Sequence, residues 1–107
     1  MAPQRTFRLI YAPITRAHLR AIDKKYHALI RDTIVERLAH EPTIENRNRK
    51  PLIRSAFDTP TWELRFGPSN RFRVFYEVRL PEQEVHVLAI GTKERNKLYL
   101  GGEEIDL

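Results

Sequence analysis

Four arginines stand at expected solvent-facing positions of two predicted strands in the segment "TWELRFGPSNRFRVFYEVR", from Thr61 to Arg79. A guanidinium group is planar and always charged, and it can bind a phosphate through two parallel hydrogen bonds. Because side chains alternate along a strand, Glu63 and Arg65 should share one face of a sheet. On the following strand, Arg71 and Arg73 should share a face as well. The segment therefore predicts a sheet surface that binds phosphate groups.

Two further basic segments flank this one, "NRNRK" (Asn46 to Lys50) and "GTKERNK" (Gly91 to Lys97). We expect the three segments to converge on one groove that binds nucleic acid. The residues expected to contact nucleic acid in that groove are Arg47, Arg49, Lys50, Arg71 and Arg95. An alternative is that Glu63 and Glu77 pair with the arginines, so that the charges only solvate the sheet.

The charge balance also points to a polyanionic partner. The 107 residues carry a net charge of +5, and the last ten hold three acids and no base. Residues 1–97 therefore carry 19 basic against 11 acidic side chains, a balance typical of proteins that bind nucleic acid. The length fits one compact domain spanning residues 1–107.

Several classes of protein are disfavoured by what the sequence lacks. There is no cysteine, which excludes disulfides, thiol catalysis and cysteine-based zinc sites. The four histidines share no ligand-like spacing, so we expect neither a metal nor another cofactor. No apolar run approaches the roughly 18 residues of a membrane helix, and the N-terminus lacks a signal-peptide core. We therefore expect a cytoplasmic protein with no membrane partner.

The periodicity of apolar residues predicts a strand, two helices, a loop and three strands. Alternation from Arg5 to Ala12 predicts the first strand, and helical spacing from Thr15 to Leu38 predicts two helices joined near Asp23. Glu41 to Thr61 shows no clear period, which predicts a long ordered loop. The last three strands are predicted at Thr61 to Phe66, Arg71 to Leu80 and Glu84 to Gly91.

These elements predict an α+β fold of order β-α-α-β-β-β. An antiparallel four-stranded sheet should carry the N-terminal helical hairpin packed on one face. The helices should cover Phe72, Val74 and Tyr76, where most apolar surface lies. The opposite face should stay open and cationic, with Phe75 among its charges. The tail "GGEEIDL" is expected to fray or, alternatively, to fold back over the cationic groove.

The ordered series "NRKPL", "WELRFG", "NRFRVFYEV" and "VHVLAIGTKERNKLYLGGEEI" resembles the RelE/ParE superfamily of toxins from bacterial type II toxin–antitoxin systems. The resemblance spans nearly the whole chain and implies a single α+β toxin domain, which a cognate antitoxin holds inactive. Within the superfamily, RelE-like members cut messenger RNA in the ribosomal A site, whereas ParE-like members poison DNA gyrase.

The resemblance also implies the site residues. Arg65 and Arg73 match basic positions of the second and third strands, Lys93 matches the basic residue after the fourth strand, and Tyr99 matches a C-terminal tyrosine. Glu63 stands where a RelE-like toxin carries a lysine, and lysine replaces arginine at position 93. The candidate catalytic residues are therefore Arg65, Arg73, Lys93, Tyr99 and Glu63.

Metal-independent RNA cleavage needs a base for the 2′-hydroxyl, positive charge for the phosphorane and an acid for the leaving 5′-oxygen. Arg65 and Arg73 suit the phosphorane because they are always charged. The base is either Lys93, with its pKa lowered by neighbouring cations, or Glu63. Tyr99 would donate a proton or stack on a nucleobase, or else only pack at the sheet edge.

We therefore expect an endoribonuclease toxin that depends on the ribosome and has messenger RNA as its substrate. Two alternatives are a ParE-like inhibitor of DNA gyrase without chemistry of its own, and a catalytically silent basic module of a toxin–antitoxin complex. In each case an acidic, partly disordered antitoxin segment is expected to fold over the open face.

Overall fold

The computed structural model describes residues 6–52, 57 and 59–105. Arg5 of the first predicted strand, residues 53–56 and 58 of the predicted loop, and residues 106–107 of the tail lie outside this range. In chain order the elements are β1 (Arg8–Tyr11), α1 (Thr15–Arg20), α2 (His27–Leu38), β2 (Arg49–Pro51), β3 (Trp62–Phe66), β4 (Phe72–Arg79), β5 (Glu84–Glu94), β6 (Lys97–Leu100) and β7 (Glu103–Ile105). None of the helices in this part of the chain has the length and apolar character needed to cross a membrane.

The strands of the described residues form one mixed sheet. β2, β3, β4 and β5 are antiparallel neighbours in that order. The edge of β5 that faces away from β4 is long enough to pair with two strands. β1 runs parallel to the first half of β5, and β6 runs antiparallel to the second half, followed by β7.

The α+β class and the helical pair were predicted correctly, but the prediction of four antiparallel strands was wrong. β1 lies parallel to β5, and the long connection that parallel neighbours require is supplied by α1, α2 and the strands from β2 to β4. β2 was assigned to the loop, since three residues are too few to show a period. The tail forms the β6–β7 hairpin because Gly101 and Gly102 adopt positive φ angles of 62° and 84° in its turn.

The larger core lies between the helices and one face of the sheet, as the sequence predicted. Phe72, Val74 and Tyr76 of β4 are fully buried there, together with Ile30 and Ile34 of α2. Side chains of alternate parity on β4 therefore point away from the helices. This packing decides which charged residues stand on the free face.

A β-bulge at Leu88 changes the face that the end of β5 presents. Phe75 and Tyr76 lie opposite Ala89 and Val87, so Leu88 has no partner on β4. Val87 consequently packs in the helix-side core, whereas Ala89 joins Phe75 on the opposite side. If β5 alternated regularly from Val87 onwards, the side chain of Lys93 would lie on the helix side of the sheet.

Candidate active site

Glu63 lies between two arginines on the sheet face that the helices leave free. Arg65 on β3 and Arg73 on β4 are directly opposite each other, an arrangement in which like charges repel. The Nε of Arg65 donates to Oε1 of Glu63 at 2.7 Å, and Nη1 of Arg73 donates to Oε2 at 3.5 Å. The three side chains form a compact group with one net positive charge, here called the Glu63 cluster.

The Glu63 cluster is buried except at Arg65. Glu63 and Arg73 are 5% and 7% exposed, whereas the side chain of Arg65 is 39% exposed. The Nε of Arg73 also donates to the carbonyl oxygen of Asn70 at 3.1 Å. Burial lowers the pKa of Arg73, and the carboxylate of Glu63 partly offsets this effect. A ligand would therefore meet Arg65 first.

Two lysines extend the positive charge on the same face. Lys50 pairs with Glu63 across β2 and β3, so both side chains leave the same side of the sheet. Lys93 on β5 pairs with Leu98, which packs beside Phe75 on the side away from the helices. We call the surface formed by Lys50, Glu63, Arg65, Arg73 and Lys93 the cationic face.

An apolar cluster borders the cationic face, so the expectation of a fully open charged face was wrong in part. Phe75 is fully buried and packs with Ala89 and Leu98. The ring of Phe57 lies 5.9 Å from the ring of Phe75. On β4, Phe75 therefore separates Arg73 of the Glu63 cluster from the Glu77–Arg79 ion pair.

Tyr99 does not join the Glu63 cluster. It pairs with Thr92 on β5, and its neighbour Leu98 faces the apolar cluster, so Tyr99 points to the helix side. There it lines a cavity together with His18 of α1. The position of Tyr99 does not support the catalytic role that the resemblance implied, because Lys93 pairs with Leu98 and the next residue of β6 points to the other side of the sheet.

Arg71 also lies on the helix side. Its guanidinium carbon is 5.4 Å from the ring centre of Tyr26 and 5.5 Å from that of Phe72. Its Nη2 donates to Oε1 of Glu94 at 3.1 Å. The expected contact of Arg71 with nucleic acid on the cationic face is therefore not supported by its position.

Arg49 is buried, contrary to the expectation that it contacts nucleic acid. Its guanidinium donates to the carbonyl oxygens of Arg37 at 2.9 Å and Ile44 at 3.2 Å, and also to that of Glu41. The residue is 3% exposed. Arg49 therefore ties β2 to the end of α2 and has a structural role.

The other expected contacts involve exposed residues. Arg47 and Arg95 are exposed, as contact with nucleic acid requires. Glu103 and Glu104 of the tail belong to β7, and the carboxylate of Glu104 lies 3.8 Å from the ammonium of Lys97. The carboxylate of Glu104 is therefore directed towards Lys97, whereas Glu103 pairs with Leu100 on the side of the cationic face, three strands away from Arg73.

His18 was not identified from the sequence as a buried residue. Its spacing of four residues from Ile22, within a segment predicted to be helical, indicated that the two side chains share one helix face. His18 is 8% exposed, and its Nδ1 accepts a hydrogen bond from the N–H of Ile90 at 3.2 Å. Burial lowers the pKa of His18. Among the residues that the structure describes, no three His, Asp or Glu side chains are grouped so as to hold a metal ion.

We expect acid to weaken the fold through His18. Because its pKa is below the ordinary 6.5, the unfolded chain binds this proton at a higher pH than the folded protein does. The stabilisation is therefore complete above the unfolded-state pKa and is lost as the pH falls towards the folded-state pKa. Urea unfolding measured between about pH 7.5 and about pH 5 should show that the free energy of unfolding falls more steeply for the wild type than for His18→Gln. Parallel curves for the two proteins would contradict this.

Comparison with known proteins gives one family match. Residues 7–97 match the family model described as ParE toxin of the type II toxin–antitoxin system parDE. No curated protein matches the sequence.

Two solved structures share the fold. One is the toxin–antitoxin complex RelBE2 from Mycobacterium tuberculosis, with 19% identity, a TM-score of 0.69, and coverage of 87% of this chain and 98% of that chain. The other is the archaeal RelE–RelB complex from Pyrococcus horikoshii OT3, with 17% identity, a TM-score of 0.56, and coverage of 84% and 98%. Identities this low establish a common fold alone.

Proposed function

The chain belongs to the ParE toxin family, within the RelE/ParE superfamily of type II toxin–antitoxin systems, and we propose that it cleaves messenger RNA on the ribosome. The protein is a toxin of a toxin–antitoxin module. The proposed activity is that of an endoribonuclease, or mRNA interferase, which inhibits translation in the cytoplasm. Its own side chains would supply the acid and the base.

The observation that supports this proposal is the carboxylate of Glu63, held between two guanidinium groups. A phosphate binds guanidinium groups in the same geometry as a carboxylate does. We propose that an RNA phosphate replaces the Glu63 carboxylate on Arg65, the exposed member of the cluster. Glu63 then loses one of its two positive partners, which makes its carboxylate a stronger base.

In the proposed reaction, Glu63 accepts the proton of the 2′-hydroxyl and the 2′-oxygen attacks the adjacent phosphorus. Arg65 and Arg73 stabilise the negative charge that develops on the phosphorane. The bond between phosphorus and the 5′-oxygen then breaks, and the ammonium of Lys93 donates a proton to that oxygen. The products are a 2′,3′-cyclic phosphate end and a 5′-hydroxyl end.

The partner that inactivates the toxin is an antitoxin protein, in keeping with the family and with the two related complexes. We propose that an acidic antitoxin segment covers the cationic face. Carboxylates bound to Lys50, Arg65 and Lys93 would occupy the groups that otherwise bind RNA phosphates. The antitoxin would thus block substrate binding directly.

A second candidate function is the poisoning of DNA gyrase without catalysis. Two observations favour it: the matching family model is described by its ParE toxin, and Tyr99 lies on the face opposite the Glu63 cluster. The second observation leaves the site without one of the catalytic groups that the resemblance implied. This candidate predicts damage to DNA and intact RNA.

Mapping of RNA ends after brief expression of the toxin separates the two candidates. We expect new 5′-hydroxyl ends within translated messages, because the proposed reaction leaves that end and depends on the ribosome. Cells expressing the antitoxin as well, and cells in which translation is blocked, are the controls and should lack these ends. Intact messages accompanied by double-strand DNA breaks would instead favour gyrase as the target.

A further inference from the structure

A cavity of about 200 Å³ opens on the helix side of the sheet and has no part in the proposed cleavage reaction. α1 contributes His18, β5 contributes Thr92 and Glu94, β6 contributes Tyr99, and the turn before β7 contributes its two glycines. Sites for drug-sized ligands measure roughly 300–1,000 Å³. This cavity therefore suits a single ring better than a stretch of peptide.

His18 offers a hydrogen-bond donor at the cavity. Its Nδ1 accepts the N–H of Ile90, which places the proton of the neutral ring on Nε2. Burial favours that neutral ring. A Cβ atom added to Gly101, which lines the cavity, would lie 3.5 Å from Cδ2 of His18. The ring edge that includes Cδ2, the atom bonded to Nε2, therefore faces this part of the cavity.

Glu94 and Tyr99 supply an acceptor and an aromatic ring. Arg71 donates to Oε1 of Glu94, which holds the carboxylate and leaves Oε2 as an acceptor. Tyr99 lines the same cavity, and an aromatic ring stacks well on any nucleobase. A donor, an acceptor and a stacking surface are the groups that recognise the edge and face of an unpaired base.

We propose that this cavity binds one unpaired nucleobase of the RNA, an inference that rests on the proposed action on RNA. The N–H of Lys93 donates to the carbonyl oxygen of Arg71 at 2.7 Å, while their side chains lie on opposite sides of the sheet. RNA whose phosphates contact Lys93 would pass around this end of the sheet and reach the cavity beside Arg71. Adenine, guanine and cytosine carry an exocyclic amino group that can donate to Glu94, whereas uracil offers only its ring N3–H, which is flanked by two carbonyl oxygens that a carboxylate repels.

Titration of nucleosides into the purified toxin, followed by NMR of the His18 and Tyr99 rings, tests this proposal. Adenosine, guanosine and cytidine should shift both rings, with dissociation constants on the order of millimolar, and uridine should bind more weakly. Tyr99→Ala should weaken binding about tenfold. Glu94→Gln, at an exposed position, should reduce the discrimination against uridine.

Ribose 5-phosphate is the matched control, because it carries phosphate without a base. It should shift Lys93 and Arg65 and leave His18 unchanged. Nucleoside shifts confined to the cationic face, or equal binding by wild type and folded Tyr99→Ala, would overturn the cavity proposal. Nucleoside binding by a toxin that leaves messenger RNA intact would count against the ribonuclease proposal alone.

Discussion

Replacement of Glu63 by glutamine is expected to lower the rate of RNA cleavage by about 10²–10⁴-fold, the range that a general base contributes. Glutamine has almost the same shape and still offers an oxygen to Arg65 or Arg73, but it cannot take up the proton of the 2′-hydroxyl at neutral pH. Single-turnover cleavage of messenger RNA on purified ribosomes measures the effect.

The fold of this variant needs its own measurement, since glutamine removes a buried negative charge from between two arginines. Thermal unfolding followed by circular dichroism shows whether Glu63→Gln is folded at the assay temperature. Glu77→Gln is the matched control, because Glu77 pairs with Arg79 at 2.8 Å on the same strand face but at the far end of β4. We expect the control to cleave RNA at the wild-type rate.

A folded Glu63→Gln protein that cleaves as fast as the wild type would remove Glu63 from the mechanism. A folded variant that kills cells as before and breaks their DNA would instead favour gyrase as the target. Alanine at Arg73 is a less informative change. It leaves the buried Glu63 with Arg65 as its one remaining arginine partner. The variant would then lose stability as well as activity, and the two effects could not be separated.

Replacement of Arg49 by methionine is expected to destabilise the protein by about 3 kcal/mol or more. The buried guanidinium bonds three carbonyl groups at the end of α2 and in the segment that follows. Hydrogen bonds to a charged group contribute about 1.5–3 kcal/mol each, and methionine leaves the carbonyls unpaired. For a domain of this size, the melting temperature should fall by roughly 10–20 °C.

Arg47→Met is the control for this prediction. Arg47 lies two residues away and is exposed, so its loss should change the unfolding free energy by less than about 0.5 kcal/mol. Differential scanning calorimetry of both variants measures the difference. Equal melting temperatures for the two variants would show that the bonds of Arg49 contribute little to stability.

Local patterns in the sequence were sufficient for the helical pair, the helix-covered face of β4 and the placement of Arg65 and Arg73 on the opposite face of the sheet. Each of these features depends on alternation or helical spacing within a short segment. The family resemblance was also carried by an ordered series of short motifs. These features are encoded by residues close together in the chain.

Tertiary structure alone decided which of the candidate residues come together. The bulge at Leu88 directs Lys93 to the cationic face, and the register of β6 on β5 directs Tyr99 to the other side. Arg49 is buried because carbonyl groups of Arg37 and the following segment lie within its reach. Strand register and such distant contacts depend on the packing of the whole sheet, and no local period records them.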